Sequence, residues 1–261
     1  FLLKKAKVAF VDNDIKDLTK ITNIFLPKIL NKELKKIFKK GTLKGEFFIP
    51  FEKDGKVAKD YGFTGKISDA SIILNKELSI KNLTTDINHG KEVENGGFKA
   101  IIKKGSFFNL DLSDSTIYLK NEGNRTKVKA TLHTDGKINF NQVKKISSLL
   151  GFKTDSYLNI NGNADLKTKI NFIFDNKFKI HNPNYSIEGK INFLELHTKE
   201  KKIIRKYLPL YDPKIIFKDT TIKLVKLKSE QNLDLNGLIK LNEKFDKFKI
   251  VKKYNLNKKS F

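Results

Sequence analysis

The sequence predicts a mainly β (α+β) chain: a long, twisted antiparallel sheet curled into an open apolar groove, with two or three short amphipathic helices. Three observations predict it. Apolar and polar residues alternate at period two over most of the chain, which marks strands with one dry and one wet face. Gly, Asn and Asp clusters punctuate the alternating runs, as hairpin connections require. Helical spacing of apolar residues is confined to short stretches around 15–38, 141–150 and 198–208.

In chain order, Ala6-Lys7-Val8-Ala9-Phe10 reads as a strand. Asp12-Asn13-Asp14 offers a helix N-cap, and Asp17, three residues after Asp14, approximates a capping box. Ile15, Leu18, Ile21, Phe25, Ile29, Leu34, Ile37 and Phe38 then fall mostly on one helical face. Lys16, Lys20, Lys28, Lys32, Lys35 and Lys36 hold the other. Pro27 predicts a kink or a break into two helices, and Gly41 a stop. Such a helix either packs on a sheet edge or lies on a membrane surface.

From Gly45 onward the period is two. Strands are expected at 63–67, 70–74, 78–83, 98–102, 108–112, 117–119 and 128–132. Asn95-Gly96-Gly97, Asn121-Glu122-Gly123-Asn124 and Asp135-Gly136 are hairpin signals. A short helix is expected from an Asn141 cap through Leu150 to Gly151. The longest alternation follows, with Leu158, Ile160, Gly162, Ala164, Leu166, Thr168, Ile170, Phe172 and Phe174 on one parity. Tyr185, Ile187, Gly189, Ile191 and Phe193 repeat the pattern. A third helix is expected over 198–208, before Pro209, and a late strand over 233–241. These elements divide one elongated segment, 1–261, into four stretches. They are 1–44 (strand plus kinked amphipathic helix), 45–140 (β-meander), 141–197 (short helix plus long strands) and 198–261 (short helix plus terminal strands).

A run from Leu158 to Phe174 is about 55 Å long at roughly 3.3 Å per residue, so it must bend, and Gly162 is a natural place. The apolar face then needs a cover. A second sheet would supply it in a β-sandwich; helix faces or lipid chains would supply it in a single curled sheet. Each buried methylene is worth about 0.8 kcal/mol, so an acyl chain of about sixteen carbons gains on the order of 10 kcal/mol on leaving water. Pattern alone leaves sandwich and trough both open.

Composition narrows the classes of function. The formal charge is +24, yet only two of the 53 basic residues, Arg125 and Arg205, are arginine. Base and phosphate recognition favours the planar guanidinium, so the charge predicts no nucleic-acid partner. It does predict attraction to anionic lipid headgroups. The chain has no Cys, which excludes disulfides and zinc–thiolate sites. It has no Met, and is therefore expected to be a piece of a larger protein. No apolar run resembles a signal sequence or a membrane span.

No catalytic constellation stands out. His89, His133, His181 and His197 are scattered without metal-ligand spacing. Asp12-Asn13-Asp14 lacks the glycine and terminal glutamate of a calcium loop. Asp111, Asp114 and Asp165 alternate with apolar residues and so should face water. There is no nucleophile elbow, P-loop or dinucleotide fingerprint. The regular coils of a glycan-acting β-solenoid are absent as well. The reading is of a chain that is not an enzyme and needs no cofactor.

Three stretches carry a resemblance. Asp17-Leu18 through Leu26-Pro27 to Leu34, then Gly41-Thr42-Leu43-Lys44-Gly45, is the first. Phe63-Thr64-Gly65-Lys66-Ile67-Ser68-Asp69-Ala70 is the second. Asn141–Gly151 followed by Leu158-Asn159-Ile160-Asn161-Gly162-Asn163-Ala164-Asp165-Leu166 is the third. Their order resembles the AsmA-like superfamily of Gram-negative envelope proteins, particularly its large YhdP branch. The likeness covers roughly Asp12–Phe193, and the lysine load departs from it. It implies a periplasmic segment of a parent anchored in the inner membrane. It also implies a lipid-lined β groove moving phospholipid between inner and outer membranes, with no catalytic residues. Partners would be phospholipid acyl chains, bacterial membranes and the rest of the parent chain. The expected groove lining is Phe108, Leu110, Leu112, Ile117, Leu119, Leu158, Ile160, Leu166, Ile170, Phe172, Phe174, Ile187, Ile191 and Phe193. A structural or adhesive β-sandwich of a surface protein is the alternative.

Overall fold

The computed structural model describes residues 4–17, 38–56, 58, 61–73, 79–90, 93, 97–150, 157–175, 179–198, 213–241 and 243–255. The strands are β1 (Lys5–Asp14), β2 (Phe38–Pro50), β3 (Gly62–Ile73), β4 (Ser79–His89), β5 (Phe98–Phe107), β6 (Leu110–Asp111), β7 (Thr116–Glu122) and β8 (Arg125–Asn139). Helix α1 (Phe140–Leu150) follows, then β9 (Tyr157–Asp175), β10 (Ile180–Thr198), β11 (Lys214–Leu227), β12 (Glu230–Lys240) and β13 (Phe245–Asn255). The fold is mainly β. The thirteen strands form one sheet in nearly sequential order, β7 bridging β5 and β8. The second, facing sheet of a sandwich is not found among the described residues. The chain forms two compact units, Phe1–Leu132 with Ile170–Pro183 and His133–Lys169 with Asn184–Phe261.

In the first unit, opposite residues of neighbouring antiparallel strands share a face, so register sorts the side chains. One row runs Leu43–Ile67–Thr85–Ile102 and is 1–4 % exposed throughout. Thr85 is tolerated there because its hydroxyl donates to the Ile101 carbonyl at 3.0 Å. The next rows on this face are Gly45–Gly65–Ile87–Ala100–Ile117 and Phe47–Phe63–His89–Phe98–Leu119. The Phe63 ring lies across the space where Gly45 and Gly65 lack side chains. Ile15 and Leu112, which belong to no strand, insert into the same cluster. The opposite face is polar, with cross-strand pairs such as Lys7–Glu46 at 2.7 Å. Phe48 on this face is roofed by the Lys5 and Lys7 ammonium groups.

Several strands carry a residue with positive φ where the register shifts: Asp12 in β1, Asp69 in β3, Asn82 in β4 and Asp219 in β11. These are β-bulges, and Asx side chains tolerate the left-handed backbone that a bulge needs. The first three, with Gly41 packed on Ala70, lie close to the Leu43–Ile67–Thr85 row. The bulges therefore bend the strands where their apolar side chains are most deeply buried.

Several sequence expectations need correction. Phe38 belongs to β2, not to the helix expected before it, and Gly41 lies inside that strand. The expected strand 108–112 is instead a turn plus the two-residue β6. Phe108 and Asn109 both have positive φ, the backbone of a two-residue hairpin turn. Strands β6 and β7 lie end to end along β5, interrupted at 112–115. Asp135-Gly136 is no hairpin: β8 runs through it. His181, Asn182 and Pro183 lie within β10. The cap of α1 is Asn139 rather than Asn141. Asn139 Oδ1 accepts from the Gln142 N–H at 3.1 Å, and Gln142 Oε1 accepts from the Asn139 N–H at 2.6 Å, a reciprocal capping box. Asp14 does cap a helical turn, accepting from the Lys16 N–H at 2.8 Å. The helix expected beyond Asp17 with its Pro27 kink, the Asn95-Gly96 turn, Gly151 and most of the 198–208 helix lie outside the described residues.

Candidate functional site

The residues expected to line a groove fall in both units, and each unit is taken by itself. In the first, Leu110 and Leu112 are 6 % and 3 % exposed, and Leu112 is part of the core. Ile117 and Leu119 are partly buried on the inner face described above. Phe108 sits in the hairpin turn, its ring 4.5 Å from that of Phe107. On β9, Ile170, Phe172 and Phe174 are partly buried, the last two with ring centroids 6.4 Å apart.

In the second unit, Ile160 and Ala164 on β9 are buried, and Leu166 is partly so. The Leu158 side chain lies outside the described residues. Gly162 shares their parity, and a Cβ there would meet the Phe193 carbonyl at 2.5 Å and the Leu194 side chain at 2.9 Å. Leu194 therefore faces the same side as Gly162. Across β10, β11, β12 and β13 the rows on this face are continuous. They run Ile187–Leu224–Leu233, Gly189–Ile222–Leu235–Ile250 and Leu194–Phe217–Ile239. Between the last two lie Ile191 opposite Thr220, and Gly237 opposite Phe248. The Phe217 and Phe248 rings meet edge to face at 5.3 Å.

Phe193 does not join this face. It stands opposite Lys218, which stands opposite Leu238, and it is 38 % exposed. The inward parity passes from Ile191 to Leu194, level with the bulge at Asp219 on β11. The alternation Tyr185–Phe193 thus slips by one residue at its end. Sequence reasoning missed Leu194, Phe217, Ile222, Leu224 and Leu235. The pairs Ile222/Leu224 and Leu233/Leu235 were visible as alternations, but only the register joins them to Ile187.

The faces of the two units differ in burial. In the first, the central row is 1–4 % exposed. In the second, Thr220 and Ile191 are buried, 1 % and 9 % exposed, whereas Ile187, Leu224, Leu233, Ile222, Leu235, Phe217 and Ile239 remain partly exposed and Ile250 is 41 % exposed. Large exposed apolar patches on proteins are commonly binding or interaction surfaces.

No protein-family model, no curated protein and no solved structure matches the chain.

The polar groups offer little chemistry by comparison. His181 Nε2 lies 3.0 Å from Asp175 Oδ2. His89 Nδ1 lies 2.9 Å from the Gly97 carbonyl, and its ring is 5.3 Å from that of Tyr61. Glu195 is held by His197 at 2.7 Å and by Lys214 at 2.9 Å. Those hydrogen bonds, His197 first, keep its carboxyl below the ordinary glutamate range, which makes it a poorer proton acceptor. Asp111, Asp114 and Asp165 are exposed, as expected. Among the described residues, no three His, Asp or Glu side chains converge on a point where a metal ion could sit.

Proposed function

We propose that the chain is a non-catalytic segment of a larger envelope protein of the AsmA-like kind. In this reading it holds phospholipid acyl chains against an apolar sheet face and helps them pass between inner and outer membranes. The parent would be periplasmic and anchored in the inner membrane of a Gram-negative bacterium. The observation that carries the reading is the partly exposed apolar face of the second unit, continuous over β10 to β13. A face that needs no partner would be closed by the chain itself, as the first unit's is. The energetic case is the one made for any acyl chain: about 0.8 kcal/mol per methylene removed from water, with no directional contact required.

The test is native mass spectrometry of the purified chain after incubation with a bacterial phospholipid extract. Stoichiometric lipid should be retained by the wild type and lost in Ile222→Asp, with far-UV circular dichroism unchanged. A folded wild-type chain that emerges bare would overturn the proposal.

A further inference from the structure

The apolar face of the second unit is not uniform along its strands. At the end beside the β11–β12 turn it carries the row Tyr185–Lys226–Gln231–Tyr254, with Lys252 one row further in, opposite Leu233. The Lys226 ammonium lies 5.7 Å from the Tyr185 ring centroid, and that of Lys252 lies 4.6 Å from Tyr254. Neither lysine is ion-paired among the described residues. On the opposite, polar face Lys190 is matched by Asp219 at 2.8 Å and Lys169 by Glu188 at 3.8 Å, while Lys223 and Lys249 are not ion-paired among the described residues and lie over no aromatic ring there. The far end of the apolar face carries a carboxylate. Its row Leu194–Phe217–Ile239 ends at Asp246. One end is therefore cationic with amphipathic tyrosines, the middle is apolar and the other end carries a carboxylate.

That polarity is the shape of an anionic amphiphile. Ile187 to Leu194 spans roughly 20 Å at about 3.3 Å per residue, and one leaflet of a bilayer holds acyl chains about 15 Å deep, half of its ~30 Å core. Tyrosine and lysine both suit such a boundary, presenting an apolar body and a polar tip. We propose that Lys226 and Lys252 form the headgroup site of an anionic phospholipid whose acyl chains lie along the rows toward Phe217. This rests on the lipid-carrying reading and adds to it a headgroup preference and a direction of binding.

The experiment is competitive retention by the full chain, read by native mass spectrometry, of phosphatidylglycerol against phosphatidylcholine with identical acyl chains. The wild type should prefer phosphatidylglycerol about thirtyfold, since each of the two lysines near a phosphate surface is worth about 1 kcal/mol. The double variant Lys226→Gln/Lys252→Gln should lose the preference yet still retain lipid. The double variant Lys223→Gln/Lys249→Gln, which removes the same charge from the opposite face, should keep it. Equal retention of both lipids by the wild type would overturn the headgroup site and leave the lipid-carrying reading standing. Loss of preference in both double variants would also overturn it, by assigning the selectivity to the chain's overall charge. A wild type that retains neither lipid would overturn both proposals.

Discussion

Leu43 and Leu235 stand in equivalent places, each mid-strand on the apolar face of its unit, and truncating each to alanine measures how far that face is closed. Leu43 is 1 % exposed and packed among Ile67, Phe38 and Ile15. Leu43→Ala removes buried methyl and methylene groups and leaves a void that dense neighbours cannot fill, a loss of about 3 kcal/mol or more. Leu235 is only partly buried. Its truncation forfeits a fraction of the transfer term and creates no sealed cavity, which predicts about 1 kcal/mol. At 1.4 kcal/mol per tenfold, the first change should speed local opening more than a hundredfold and the second less than tenfold.

Native-state hydrogen exchange read by peptide is the suitable assay, because it reports each unit separately; the chain has no Trp to report unfolding by fluorescence. Peptides from β2 should lose protection steeply in Leu43→Ala, and peptides from β12 only slightly in Leu235→Ala. Added phospholipid should raise protection in β12, by about 2.7 kcal/mol at a hundred times the dissociation constant. If Leu235→Ala cost as much as Leu43→Ala, the second face would be closed by the chain itself and the argument for an acyl-chain site would fail.

Three other outcomes follow from single contacts. Asp219 adopts φ 47° at a bulge, so Asp219→Gly should be nearly neutral, whereas Asp219→Val should lower the urea midpoint by roughly 1–2 kcal/mol of stability. Asn139→Ala removes one arm of the α1 capping box and should cost about 1 kcal/mol, seen as faster exchange of the Gln142 amide. Glu195 is held below the ordinary glutamate value of 4.5 by hydrogen bonds from His197 and Lys214. A depressed carboxylate stabilises the fold above its unfolded pKa, and that contribution fades as pH falls through the folded value. Glu195→Gln should therefore flatten the acid side of the urea midpoint plotted against pH; an unchanged acid limb would refute the assignment.

Much of this was legible in the chain because alternation is a local signal. Most of β9 was marked by the period-two run from Leu158 to Phe174, and the middle of β10 by the run from Tyr185 to Ile191. The Asn139/Gln142 capping box was also readable, as an Asn with a Gln three residues on, but Asn141 offered a competing cap two residues later. The beginning of β2 was not readable. Ile37-Phe38 continues the helical spacing before it, and Gly41 resembles a helix stop while serving a bulge. Phe193 and Leu194 are adjacent apolar residues, so either could point inward. A distant bulge level with Asp219 decides between them. Register is the part a single strand cannot encode, since it depends on which residue of the neighbour lies opposite.

The same alternation yields a closed face in one unit and a partly exposed one in the other, and the described connections differ in the same sense. In the first unit, Ile15 follows β1 in a helical turn and Leu112 lies in the interruption between β6 and β7, and both insert into the core. Chain segments outside the sheet thus supply its cover. In the second unit, β11 and β12 are joined by Lys228-Ser229 alone, and β12 and β13 by 241–244. Connections of two to four residues are used up in reversing direction and leave no side chain to reach back over the face. Small residues lower that face further: Gly189, Thr220 and Gly237 interrupt the rows between Ile187 and Phe217, and a Cβ at Gly237 would already meet Thr220 Oγ1 at 2.5 Å. Among the described connections, the tight hairpins between β11, β12 and β13 supply no cover for this shallow apolar strip. The apolar surface left in water then favours whatever can cover it, and a flexible hydrocarbon chain fits a strip whose depth changes from row to row better than a rigid side-chain surface would.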